Sequence, residues 1–140
     1  MVPLDIVLHL VEREMSHAPK GYVLDGFPRN MEQALALEIL LQERKESLDA
    51  AINLDLNEPE IHHRLPARGR PNDKPEIISK RIELYHGETD PVLRFYDKTG
   101  ILISVSGQGP IEQVTERILS ALQARSAVPG TAPTRFRVQL

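Results

Sequence analysis

The sequence has no cysteine and no tryptophan, and aromatic residues fill only 4% of its 140 positions. Without cysteine there is no disulfide and no thiolate metal site, which fits a reducing, cytoplasmic setting. No apolar run is long enough to span a bilayer, so no membrane partner is expected. The start of the chain does not read as a secretory leader either, because Asp5 and the Glu12-Arg13-Glu14 cluster interrupt the apolar stretch. An excess of positive charge is also lacking. Lys and Arg number 17 against 20 Asp and Glu, a net charge of −3, which argues against a general nucleic-acid binder. No internal repeat is visible.

What remains is 41% hydrophobic residues, enough for a core, in a length that suits one domain. Charge is uneven along it. From residue 64 to 81 six basic residues (Arg64, Arg68, Arg70, Lys74, Lys80, Arg81) face two acidic ones, Asp73 and Glu76. A cationic stretch on an acidic chain suits a small anionic ligand, although a solvated helix face gives the same pattern.

Periodicity supplies the elements. Val7, Leu10, Val11 and Met15 predict a helix over 4–16. An apolar run at 22–25 reads as a strand. Asn30 caps a helix to about residue 46, with Gln33 in the reciprocal capping position. Residues 51–56 are an apolar run of the kind buried on both faces of a parallel sheet. Asn57 opens a short helix, which Pro66 should end. Asp73 should cap the next helix, with Pro75 in its first turn. Gly87 and Pro91 should kink or split that helix, and Gly100 should end it. A strand over 101–105, a Gly107-Gln108-Gly109 loop and a helix over 110–124 follow. Residues 125–140 hold Pro, Gly, Ser and Thr without periodicity and read as an unstructured tail. Helix, then strand and helix repeated, predicts an α/β fold with a parallel sheet and helices on both faces.

The segment Asp25-Gly26-Phe27-Pro28-Arg29 lies where the 22–25 run gives way to the next helix. Carboxyl ends of strands are where open α/β sheets bind ligands. An arginine there can grip a phosphate with two parallel hydrogen bonds, and a carboxylate can hold magnesium waters. His62 and His63 are adjacent on a short helix, point apart and make no metal pair; all five histidines read as structural.

This segment resembles the signature of nucleoside monophosphate kinases, above all the adenylate kinase family. The stretch Val2–Val7, the arginine-rich 64–81 and the strand, loop and helix of 101–122 resemble that family as well, in its short-lid type. The likeness spans about 1–124, with the lid near 67–73. It implies a P-loop-NTPase-like sheet and reversible phosphoryl transfer from ATP to AMP, giving two ADP with Mg2+. In such a protein Arg29 would clamp the AMP phosphate, beside Gly26. Gln33 would read the adenine edge, in competition with its capping role. Val2 would offer backbone carbonyls to the same base, or simply pack. Arg64 would stack on the ATP adenine, and Gly109 would contact that base through its backbone. Arg68, Arg70 and Arg81 would surround the transferred phosphoryl group, Arg70 and Arg81 also touching AMP and Arg68 ATP. Asp73 would orient the lid arginines while capping its helix. Asp25 would hold Mg2+ through water. Nucleotides are the implied partners, and the family is usually monomeric.

The sequence departs from the family pattern at one decisive point. It contains no Gly-x-x-x-x-Gly-Lys-Ser/Thr loop, the motif whose amides and lysine hold the β- and γ-phosphates. The strand preceding that loop is central in the family sheet, so the sheet is expected to be incomplete. Asn72 stands where the family has the first acid of the lid pair, and Pro66 is unusual before the lid. Two functions are therefore weighed. One is a kinase whose isolated chain is expected to be inactive. The other is a catalytically dead nucleotide-binding or interaction fragment.

Overall fold

A computed structural model describes residues 2–67, 69, 74–126 and 137–139. In chain order the helices and strands are α1 (Leu4–Ser16), α2 (Met31–Glu43), β1 (Ala51–Asp55), α3 (Glu58–Ala67) and α4 (Pro75–Leu84). A π-helical turn (Tyr85–Thr89) leads into α5 (Asp90–Lys98), β2 (Leu102–Ser106), α6 (Ile111–Ser126) and β3 (Arg137–Gln139).

The sheet has the order β2-β1-β3, all parallel. Ala51 pairs with Leu102 and Asp55 with Ser106, while Ala51 to Asn53 pair with Arg137 to Gln139. Period-2 alternation sends side chains to two cores. Ala51 and Leu102 join Leu37, Leu41, Val92 and Tyr96 on one face, under α1, α2 and α5. Ile52, Ile103 and Val105 join Leu122 and Ile118 of α6 on the other. Helices thus cover both faces, as a parallel sheet requires.

Several expectations hold in detail. Asn30 is the N-cap of α2, and its side chain accepts from the Gln33 N–H. The helix beginning at Pro75 is split at the Gly87 and Pro91 region, by the π turn. Gly100 follows α5 with φ of +78°.

Others do not hold. Residues 22–25 join no sheet. Their alternation persists, with Tyr22 and Leu24 against the core and Val23 55% exposed. An extended run becomes a strand only beside a ladder partner, and both sides of β1 are taken by β2 and β3. The cap of α4 falls on Lys74, without a side-chain cap bond, rather than on Asp73. Pro66 does not stop α3 at once, since the helix runs to Ala67. In the tail, α6 reaches Ser126 and residues 137–139 form β3, where composition suggests unstructured chain.

Candidate nucleotide-binding site

The loop from Asp25 to Asn30 is built around glycine and arginine. Gly26 has φ of +72°, a conformation that glycine adopts without strain. A Cβ there would also lie 3.0 Å from an Arg29 terminal nitrogen. The close approach lets Arg29 Nε donate to the Gly26 carbonyl at 2.7 Å, turning the guanidinium back over the loop. The two terminal nitrogens have no protein partner among the described residues. The Phe27–Pro28 bond is cis, and both residues are buried under the loop.

Both backbone polar groups of Arg29 are held by side chains. Its N–H donates to Gln33 Oε1 at 2.7 Å, and its carbonyl accepts from Thr89 Oγ1 at 2.9 Å. Gln33 therefore keeps a cap-like role, one residue out of register with the usual capping box. Among the described residues its Nε2 amide, with two N–H donors, makes no hydrogen bond. Asp25 is an exposed single carboxylate. Among the described residues no three His, Cys, Asp or Glu converge into a metal cage.

A second cluster lies at the carboxyl end of β2. Arg64, on α3, donates to the carbonyls of Gly107 (2.9 Å) and Gly109 (3.3 Å), and its Nε donates to Glu60 one turn back. Arg117, on α6, donates to the carbonyls of Ser106 (3.0 Å) and Gln108. Two arginines thus grip alternate carbonyls of one loop. Gly109, with φ of +97°, sits 3.0 Å (as a notional Cβ) from Gln113 Oε1, so a side chain there would be both strained and crowded. The edges of the Arg64 guanidinium are used, but its flat faces can still stack on a base.

Of the other candidates, Val2 is 57% exposed ahead of α1, and Arg81 is exposed in the last turn of α4. Arg68, Arg70 and Asp73 lie outside the described residues. The structure therefore brings together Gly26, Arg29 and Gln33 at one place and Arg64 and Gly109 at another.

Sequence reasoning missed Thr89 and Arg117. Thr89 carries no motif and meets Arg29 across 60 positions. Arg117 follows Gln113 by four residues on α6, and only the loop geometry reveals its use. His86, read as structural, is an exposed tie. Its Nδ1 lies 3.0 Å from Asp90 and its Nε2 3.5 Å from Glu58. The Asp90 hydrogen bond, then the nearby charges of Asp90 and Glu58, raise its pKa above the ordinary histidine value. Beside it, Tyr85 donates to Asn53 Oδ1 at 3.3 Å, and burial with Asp90 and Asp55 nearby raises its phenol pKa. A groove of about 710 Å³ runs between β2 and α6, lined by Ser104, Ser106, Gln113 and Arg117 among others. It borders the second cluster, sharing Ser106, Gln113 and Arg117 with it.

Comparison with known proteins points to one family. A family model described as adenylate kinase matches residues 1–101. The chain is 41% identical over 123 residues to an adenylate kinase of Synechococcus sp. (strain CC9902), covering 87% of this chain and 67% of that one. An adenylate kinase of Xylella fastidiosa (strain 9a5c) is 39% identical over 123 residues, covering 84% and 66%. One of Nitrobacter winogradskyi is 39% identical over 141 residues, covering 92% and 68%. The chain thus spans about two thirds of the length of these relatives. On this match, and on the loop that bears its signature, the chain belongs to the adenylate kinase family.

Proposed function

We propose that this chain carries the monophosphate clamp and the ATP-base loop of a nucleoside monophosphate kinase, with AMP as acceptor and ATP as donor. The observation that carries the reading is the Arg29 guanidinium. It is anchored through Nε to the Gly26 carbonyl, and among the described residues both terminal nitrogens are left for a phosphate. A planar fork with two parallel donors matches phosphate geometry. Gln33 Nε2 would donate to the base, and its Oε1, one lone pair spent on Arg29, keeps a second. Arg64 would stack on the donor base above the Gly107–Gly109 loop.

Phosphoryl transfer asks a protein for alignment and charge neutralisation rather than covalent chemistry. Arg68, Arg70 and Arg81 would supply positive charge around the moving group, with Asp73 orienting the first two. One exposed carboxylate, Asp25, fits Mg2+ held mainly by phosphates and water. The metal, when bound, would neutralise phosphate charge.

The sequence holds no Gly-x-x-x-x-Gly-Lys-Ser/Thr cradle. Arginine-type charge stabilisation alone is worth about 10³ to 10⁵ in rate, and the cradle is comparable. The isolated chain should therefore bind nucleotides but turn over at least roughly 10³-fold more slowly than an intact relative. The test is ADP formation from ATP, AMP and Mg2+ by the purified chain, alone and fused behind the P-loop segment of a relative. Turnover in the fusion and little without it supports the kinase. The second reading, a catalytically dead nucleotide-binding module, is favoured by the same missing motif. Binding without turnover in the fusion would select it.

A further inference from the structure

Among the described residues, Thr89 alone is both polar and buried, at 8% exposure. A buried hydroxyl needs a partner. Helical threonines usually find one on their own helix. Thr115 does so with the Ile111 carbonyl, and Thr99, just past α5, with that of Tyr96. Thr89 instead donates across the fold to the carbonyl of Arg29 at 2.9 Å. It closes the π turn Tyr85–Thr89. Such single π turns interrupt the regular ladder and cluster at functional sites.

We propose that Thr89 is a positioning residue for Arg29, and that the π turn ties the phosphate clamp to α4, the helix bearing Arg81. This rests on the monophosphate-site reading above. Thr89 and Gln33 hold the two ends of the Arg29 backbone unit. A two-point grip on phosphate tolerates only small errors of position and angle. Freeing the carbonyl lets the peptide after Arg29 rotate, and the fork loses its aim. If the hydroxyl only served packing, its loss would lower stability and leave ligand affinity alone.

Thr89→Val keeps the shape and removes the donor, while Thr89→Ser keeps the donor and removes a methyl. AMP binding to the full chain is measured by calorimetry, with melting temperature and ¹⁵N amide spectra of the ligand-free protein. Loss of one oriented hydrogen bond predicts AMP binding about tenfold weaker in Thr89→Val. Thr89→Ser should stay within about twofold of the parent, even where it melts lower. The Asn30 amide, next after the Arg29 carbonyl, should move in Thr89→Val and hold in Thr89→Ser. Unchanged AMP affinity in Thr89→Val overturns the proposal. So does affinity that falls in both variants in step with stability. A parent chain that binds no AMP defeats the site reading itself and the positioning role with it. An Asn30 signal unmoved in Thr89→Val shows that the tether is absent, whether or not AMP binds.

Discussion

In the proposed site Arg29 would supply charge and Gln33 a hydrogen-bond pattern. Arg29→Lys keeps the charge and loses the planar fork. A hydrogen bond to a charged group is worth about 1.5–3 kcal/mol, so AMP binding should weaken roughly 10- to 100-fold. ATP binding should change little, because Arg64 and the Gly107–Gly109 loop form a separate cluster. Parallel titrations with both nucleotides check this, and equal losses would remove Arg29 from the monophosphate site. Gln33→Glu separates cap from base reader. A carboxylate still accepts from the Arg29 N–H and suits a helix N-terminus, so melting temperature should hold. It cannot donate to a base, so the preference for AMP over CMP and UMP should narrow. An unchanged preference would leave Gln33 a cap alone. The glycine, arginine and glutamine of this loop were legible because their spacing is local. Thr89 was not, since its partner is 60 residues away and no periodicity links them.

Among the elements, the π turn and the Gly107–Gly109 loop were only half visible in sequence. Gly87 and Pro91 flag a break in the helix, but not that it would take π form or turn Thr89 inward. The 22–25 run carries strand alternation without becoming one, because a strand is made by its neighbour. His86, in the turn, faces Asp90 of α5, Glu58 of α3 and the ring of Tyr85, whose centroid is 5.9 Å away. Its raised folded pKa means that the protonated form is favoured by folding. The stabilisation is fully present below the unfolded value of 6.5 and is lost as pH rises through the higher folded value. The parent should therefore out-melt His86→Gln at acidic pH, with the gap closing at alkaline pH. A gap that widens toward alkaline pH would contradict the tie. For the loop, Arg117→Ala removes the grip on the Ser106 and Gln108 carbonyls. Because Arg117 acts through the loop, ATP affinity should drop several-fold, less than for a charged hydrogen bond made directly to the ligand, with AMP affinity unchanged. Calorimetry with each nucleotide decides.

The whole molecule is a parallel sheet with α6 on one face and α1, α2 and α5 on the other, and it carries the Gly26–Gln33 loop region and the cluster of Arg64 and Arg117 around the Gly107–Gly109 loop. In the proposed reading the chain recognises AMP through the Gly26–Gln33 region. The most direct test is titration of the ¹⁵N-labelled protein with AMP, followed amide by amide. Saturable shifts should concentrate at Gly26, Arg29, Asn30 and Gln33, with ATP moving Gly107 to Gly109 instead. Absence of saturable shifts at that first set, or AMP shifts centred elsewhere, would contradict it.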